Sequence, residues 1–438
     1  MIDSTALLTD RYEYTMVDAA RQAGTADREC VFEVFGRRLS GGRRYGVVAG
    51  TGRVLEAVAD FRLSDDELRW LSDAKIVDPG TVDWLANYRF SGRITGYREG
   101  EYYFPGSPIL VVEGTFAEAV LLETVVLSVL NYDSAVATAA ARVVSAAGSR
   151  PVVEMGSRRT GERSAVAAAR AAWITGFSAT SNLEAGRSWG VPTMGTAAHA
   201  FTLLHDSEEQ AFRAQVAALG TGTTLLVDTF DVPTAVRLAV EVAGPELGAV
   251  RIDSGDLASQ VAEVRELLDS LGATSTKITV TSDLDEYSVA SLSASPVDSY
   301  GVGTSVVTGS GYPAAGMVYK LVAHKDDDGE WVSVAKKSSN KASVGGRKHA
   351  FRRLGDDGIA TAEVVRVDEH GSAPTHSEEH DERLLQVTLV EDGVPDPQWL
   401  GAEGTRRARE HHAEVRAELP PDAFRLSGGD PVLPTLYR

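Results

Sequence analysis

The chain has 438 residues, 43% of them hydrophobic and 24% charged, the balance of an ordinary globular protein with room for two or three domains. Its formal net charge of −19 argues against nonspecific binding to nucleic acid or to an anionic membrane, although a few converging cations can still hold an anionic ligand. A lone cysteine, Cys30, excludes an intrachain disulfide and a thiolate metal cluster, and fits a reducing cytoplasm.

Met1-Ile2-Asp3 opens the chain with an acid where a secretory signal carries basic residues and then an apolar run. Cys30 to Phe35 and Tyr103 to Val112 read as strands, and Ser64-Asp65-Asp66-Glu67 as a capped helix start. The longest apolar stretch, Ala117 to Leu130, carries Glu118 and Glu123 and falls short of the roughly 18 residues that span a bilayer. From Leu121 onward, Ala-rich helical patterns alternate with short strands, PVVEMG, TLLVDTF, AVRIDSG, KITVTSD and DSYGVG, which predicts βα units and a parallel sheet or barrel.

After Gly316 the pattern turns β-like again, in Met317 to Ala323 and Trp331 to Lys336, with a turn at Asp326-Asp327-Asp328-Gly329. Asp368 to Arg383 is expected in loops. A charged helix from Glu403 to Leu419 stops at Pro420-Pro421. The expected architecture is α/β: a βα barrel over 121–315, flanked by a smaller domain built from both chain ends, 1–120 and 316–438.

Candidate chemistry is densest between Pro151 and Phe201. Val152 and Val153 read as a buried strand that Gly156-Ser157-Arg158-Arg159 terminates, and Ser164 to Trp173 as a helix capped by Ser164. A second loop spans Gly176 to Asn182, and a third runs from Pro192 to Thr196, just before His199. Polar and basic residues thus recur at strand ends, where α/β barrels keep their chemistry. Of Arg158 and Arg159, one suits a phosphate and the other a structural salt bridge; both also fit as plain surface arginines.

In Val250-Arg251-Ile252-Asp253-Ser254-Gly255-Asp256, Arg251 suits an anion, and Asp253 or Asp256 suits ribose hydroxyls or a hydrated magnesium ion. The plainer alternative is that Ser254 or Asp256 caps the helix starting at Leu257. Asp228, in Leu226 to Asp231, and Asp283, in Thr281 to Asp285, repeat the theme of acids at strand ends. Gly301 and Gly303 allow backbone N–H groups close to a phosphate. A lone His199 reads most simply as a packed or surface histidine, but carboxylates of neighbouring strands are in position to orient its ring. His205, six residues on, is a poor metal partner, and His376, His380, His411 and His412 read as solvated.

Together these residues resemble those of nicotinate phosphoribosyltransferases. The resemblance starts at Leu8 to Met16 and continues through Phe32 to Phe35, Arg38, the 151–201 block, Arg251 to Asp256, Gly301 to Thr308 and Gly316 to Leu321. It reaches residue 353 through Lys337, Lys341, Gly346 and Lys348, and the C-terminal segment matches least distinctly. What it implies is a type II phosphoribosyltransferase: an irregular TIM-like βα barrel with a second mixed α/β domain, forming a cytoplasmic homodimer with shared active sites. The implied reaction moves phosphoribose from phosphoribosyl pyrophosphate to nicotinate, giving nicotinate mononucleotide and pyrophosphate in NAD salvage. It is coupled to hydrolysis of ATP and uses Mg2+.

On that resemblance His199 is the histidine that ATP phosphorylates and Arg251 reads the nicotinate carboxylate. Tyr12, supplied by the other subunit, and Met155 flank the pyridine ring; Met155 departs from the aromatic residue common in amide-using relatives. Arg158, Asp253, Gly301, Gly303 and Thr304 surround the ribose phosphate, with Thr196, Asp228 and Ser254 also among the substrate-binding residues. Ser181 stands where relatives that use nicotinamide carry an aspartate, which would repel a carboxylate. No residue is assigned to a metal.

The chemistry is coherent. Carboxylates stabilise the cationic ribosyl centre left by departing pyrophosphate, an arginine fork matches a carboxylate, and neutral imidazole attacks a γ-phosphoryl group. The alternatives are a nicotinamide or quinolinate transferase and a non-catalytic nucleotide-binding relative. A barrel lyase using a Schiff-base lysine is disfavoured, since 125–315 holds only Lys277.

Overall fold

The computed structural model describes residues 4–336, 343–368 and 381–438. Their contacts separate two compact units, Met1–Thr138 with Tyr312–Arg438, and Ala139–Gly311.

The first unit is built on a seven-stranded antiparallel sheet drawn from both chain ends, in the order Trp331–Ser333, Met317–Lys325, Glu29–Gly36, Leu110–Thr115, Arg93–Tyr97, Gln386–Glu391 and Val394–Pro395. Val31, Phe32, Val34 and Phe35, β-branched or aromatic, are buried in the central strand Glu29–Gly36. Glu33 is buried among them and is satisfied by Lys348 Nζ at 2.7 Å. The strand expected over 103–112 is instead two pieces, Tyr102–Tyr103 and Leu110–Thr115. Pro105 and Pro108 lack ladder donors and Gly106 has φ 86°, so the chain turns there.

Ser64 caps Asp65–Asp73 through a reciprocal bond with Glu67, as the sequence predicts. The turn at Asp326 to Gly329 is present, and Asp326 Oδ1 accepts from the N–H groups of Asp328 and Glu330. The charged C-terminal helix spans Gly401–Arg416. Its histidines correct the sequence reading, because both are buried. His411 Nε2 lies 3.0 Å from Glu101 Oε2, and His412 Nδ1 lies 2.8 Å from the Gly100 carbonyl. Their partners lie some three hundred positions upstream in the chain, so no local pattern marks them. His376 and His380 fall outside the described residues. So does most of the loop expected over 368–383, at whose end Glu382–Leu384 forms a strand.

The apolar stretch beginning at Ala117 extends further than expected. The helical run Phe116–Ala147 is long and apolar enough to cross a membrane by composition, but 67% of its apolar window is buried in the protein, which makes it a core helix.

The second unit carries six parallel strands: β1 Val152–Glu154, β2 Ala179–Thr180, β3 Thr224–Leu226, β4 Ala249–Ile252, β5 Lys277–Val280 and β6 Ser299–Val302. Their order, β2-β1-β6-β5-β4-β3, is the chain order wrapped into a ring that stays open between β2 and β3. That is an irregular TIM-like barrel. The intervening helices are α1 Glu162–Ile174, α2 Leu183–Trp189, α3 His199–Leu204, α4 Glu208–Leu219, α5 Val232–Ala243, α6 Leu257–Ser270, α7 Glu286–Ser291 and α8 Thr304–Val307. Side chains of Asn182, Ser207, Asp231, Asp256 and Asp285 cap five of them. The expected cap Ser164 lies inside α1 instead. Extended Gly161 precedes Glu162, whose charge suits the helix N-terminus.

Candidate active site

A cleft of about 580 Å³ opens where the barrel strands end, lined entirely by residues of the second unit. It collects Met155, Arg158, Ser181, Thr196, His199, Arg251, Asp253, Gly301, Gly303 and Thr304, ten of the residues singled out in the sequence. Asp228 and Ser254 are outside this lining; Asp228 bonds to His199 and to Asp253 N within it, and Ser254 bonds to Asp228. Tyr12 does not line it; it sits on the helix Arg11–Ala23 of the first unit, 45% exposed, where burial, then Glu123 and Glu13, pushes its hydroxyl up to about 12.

Arg251 points from β4 with its side chain only 12% exposed. Its Nε donates to Thr281 Oγ1 at 2.9 Å, and its Nη1 to Thr196 Oγ1 at 2.7 Å and to the Ala197 carbonyl at 3.3 Å. Nη2 has the weakest engagement, 3.5 Å from Asp253 Oδ1. The Thr281 hydroxyl donates in turn to Asp253. One planar cation is thus clamped on two sides with a nitrogen left to spare.

His199 opens α3, with Nε2 3.0 Å from Asp228 Oδ1. The side chain of Asp228 is 3% exposed, and its other oxygen accepts from Asp253 N at 2.9 Å and Ser254 Oγ at 2.8 Å. A carboxylate surrounded by donors accepts from the imidazole too, so Nε2 carries a proton, and in the neutral ring the lone pair is on Nδ1. Ser254 therefore acts through Asp228 and caps nothing. Asp256 is the cap of α6, with its Oδ1 3.5 Å from Ser259 N. The structure assigns the two acids of this turn different tasks.

In the same lining, Arg158 and Arg159 are exposed on the turn Ser157–Arg159; Arg159 N donates to the Gly156 carbonyl at 2.8 Å, and among the described residues the two side chains make no hydrogen bond or ion pair. The turn is anchored by residues the sequence reading missed. Glu154, fully buried, accepts from Gly156 N and, at 2.5 Å, from Thr180 Oγ1, and burial pushes its carboxyl above the usual range. Asn182 Nδ2 reaches Ser157 Oγ at 3.0 Å, tying this turn to the Ser181 loop. Gly301 is required by close packing: a Cβ there would lie 2.5 Å from Thr281 Cγ2 and 2.8 Å from Met155 Sδ. Ser282, with φ 129°, holds a backbone conformation that costs a non-glycine residue about 1–3 kcal/mol, and it lines the cleft beside Asp283. A Thr-Ser-Asp run at a strand end was its only signal in the sequence.

A polar cleft at the C-terminal ends of parallel barrel strands defines the molecule as a barrel of the enzyme type. Over 98% of this chain and 97% of the other, the fold matches the crystal structure of human nicotinic acid phosphoribosyltransferase, with a TM-score of 0.81 and 26% identity. Residues 7–131 match the family model of the nicotinate phosphoribosyltransferase N-terminal domain. Nicotinate phosphoribosyltransferase pncB1 of Mycobacterium tuberculosis H37Rv is 56% identical over 441 residues, 99% of this chain and 95% of that one. The Homo sapiens nicotinate phosphoribosyltransferase sequence is 31% identical over 83% of this chain and 79% of its own length. The chain belongs to the nicotinate phosphoribosyltransferase family.

Proposed function

We propose that this protein transfers phosphoribose from phosphoribosyl pyrophosphate to nicotinate, releasing nicotinate mononucleotide and pyrophosphate for NAD salvage, and couples the transfer to ATP hydrolysis. The observation that carries this reading is Arg251, a nearly buried guanidinium fixed in the cleft lining, a cation able to read one carboxylate once it exchanges a neutral hydroxyl for it. Ser181, in the same lining, adds no negative charge to repel that carboxylate. Exposed Arg158, with Gly303 and Thr304 in the same lining, supports a phosphate there. Asp253, 3.5 Å from Arg251 in the same lining, is suited to the ribose and to the cationic centre that forms as pyrophosphate leaves.

His199 supports the ATP half of the reading. With its Nε2 proton held by Asp228, Nδ1 is free to attack the γ-phosphorus of ATP. The new Nδ1–P bond forms as the P–O bond to ADP breaks, ADP leaves with the electron pair, and water later hydrolyses the phosphoramidate. Among the described residues no group of three or more His, Cys, Asp or Glu is arranged to hold a metal ion. Mg2+ would be carried in on substrate phosphates, where Asp253 or Asp283 of the cleft would offer a carboxylate and the ion would neutralise phosphate charge. A homodimer with Tyr12 reaching the other subunit's site, in the cytoplasm, completes the proposal.

The test incubates the protein with phosphoribosyl pyrophosphate, Mg2+ and nicotinate, nicotinamide or quinolinate, with and without ATP, following mononucleotide and ADP. Nicotinate mononucleotide with matching ADP is the expected result. Product from nicotinamide or quinolinate alone, or none from any of the three acceptors, refutes the reading.

A further inference from the structure

We propose that Thr196 is a positioning residue through which nicotinate binding and phosphorylation of His199 act on each other. The inference rests on the nicotinate reading of the cleft and starts from the arginine's own geometry. A carboxylate can take a guanidinium in two bidentate ways, through Nε with Nη2 or through Nη1 with Nη2. In Arg251 both are blocked, since Nε is bonded to Thr281 and Nη1 to Thr196. A bound carboxylate must therefore displace one hydroxyl.

The two hydroxyls are not equally fixed. Thr281 is 4% exposed, directly follows β5, and also donates to Asp253. Thr196 lies on the segment Gly195 to Ala198, in which Thr196 and Ala197 are half-buried and Gly195 and Ala198 are exposed. Backbone bonds tie the ends of that segment, Met194 N to the Thr180 carbonyl and Phe201 N to the Ala198 carbonyl. Between them, among the described residues, what holds the segment to the barrel is Arg251 Nη1, through Thr196 Oγ1 and the Ala197 carbonyl. The next residue after the segment is His199.

Nicotinate therefore takes Nη1 from Thr196 Oγ1, its shorter partner, and with that bond and the longer one to the Ala197 carbonyl given up the segment that leads into His199 is released. Linkage makes the effect reciprocal: a phosphoryl group on His199 that draws the segment away from Arg251 frees the Nη1–Nη2 fork and tightens nicotinate binding. ATP and the acceptor acid are coupled through the exchangeable contacts of Nη1, of which the bond to Thr196 is the shorter.

The experiment compares the nicotinate KM without and with ATP in the wild type, Thr196→Val, Thr196→Ala and Thr196→Ser. Valine keeps the shape and removes the acceptor, so its KM without ATP falls and the ratio of the two KM values shrinks by about tenfold, the worth of one hydrogen bond to a charged group. Alanine gives the same loss with a smaller side chain, and serine restores the wild-type ratio. Full retention of the ratio in both valine and alanine variants overturns the proposal, as does its loss in the serine variant. A wild type that makes product with no effect of ATP on KM also overturns the linkage while leaving the transferase reading intact. A wild type that makes no nicotinate mononucleotide refutes the underlying reading instead.

Discussion

Replacing Asp228 with asparagine changes which nitrogen of His199 carries the proton. The buried carboxylate takes three donors, His199 Nε2 at 3.0 Å on one oxygen, and Asp253 N and Ser254 Oγ at 2.9 and 2.8 Å on the other. An amide fits only one way round. Its oxygen must face the pair of donors, which leaves its NH2 pointing at Nε2. The imidazole then accepts at Nε2 and is protonated at Nδ1, the nitrogen proposed to attack ATP. An enforced wrong tautomer lowers serine-protease turnover by about 10⁴. ATP hydrolysis by Asp228→Asn should fall by a similar factor of about 10³–10⁴, or about 4–5.5 kcal/mol of barrier. The assay follows ADP release and acid-labile label from γ-labelled ATP, with His199→Asn setting the floor and thermal unfolding as the check on folding. Slow ATP-independent transfer should survive in both variants, since the acid and phosphate contacts lie on other loops. Labelling of Asp228→Asn at a rate near wild type, or phosphorus resonances that put the wild-type label on Nε2, would refute the tautomer argument.

Arg251→Ala should lower kcat/KM for nicotinate by about 1.5–3 kcal/mol, the value of a charge-assisted hydrogen bond, while ATP hydrolysis persists; an unchanged nicotinate kcat/KM removes the arginine from the acid site. Mixing inactive Tyr12→Ala with inactive Arg251→Ala should recover part of the activity if Tyr12 serves the other subunit, and no recovery in verified mixed dimers shows that one chain builds each site. The first unit should lose stability in acid: burial lowers the His412 pKa to about 4, so its neutral form is favoured in the fold. That contribution is complete above the unfolded value near 6.5 and is lost as pH falls from there toward 4, by about 2 kcal/mol between pH 7 and pH 5. Denaturant titrations at the two pH values should show a smaller drop in His412→Gln, and equal drops would contradict the burial of a neutral imidazole.

What the sequence carried and what it hid follow from distance along the chain. The barrel was legible because each βα unit is local: a short Val/Ile strand, a polar turn, a helix start. The site was legible in outline because those turns are where the strands end. Thr281 and Glu154 were not, because their roles depend on pairing. The parallel register Val280↔Ile252 sets Thr281 beside the Arg251–Asp253 turn, and no spacing within either segment encodes that neighbour. Glu154 reads as one acid in an apolar strand until β2 brings Thr180 against it.

The acids of the βα turns show how far local order reaches. Three connections carry paired acids, Asp228 with Asp231, Asp253 with Asp256, and Asp283 with Asp285. In each, the acid next to the helix caps it: Asp231 for α5, Asp256 for α6, Asp285 for α7. The acid nearer the strand serves the cleft, Asp253 and Asp283 in its lining and Asp228 through His199. The reason is geometric. A capping side chain must fold back onto the first-turn N–H groups of its own helix, so it is committed, while a residue just past the strand end still projects from the rim of the barrel. Two carboxylates a few residues apart, equivalent by composition, are sorted into structure and chemistry by which element each one adjoins.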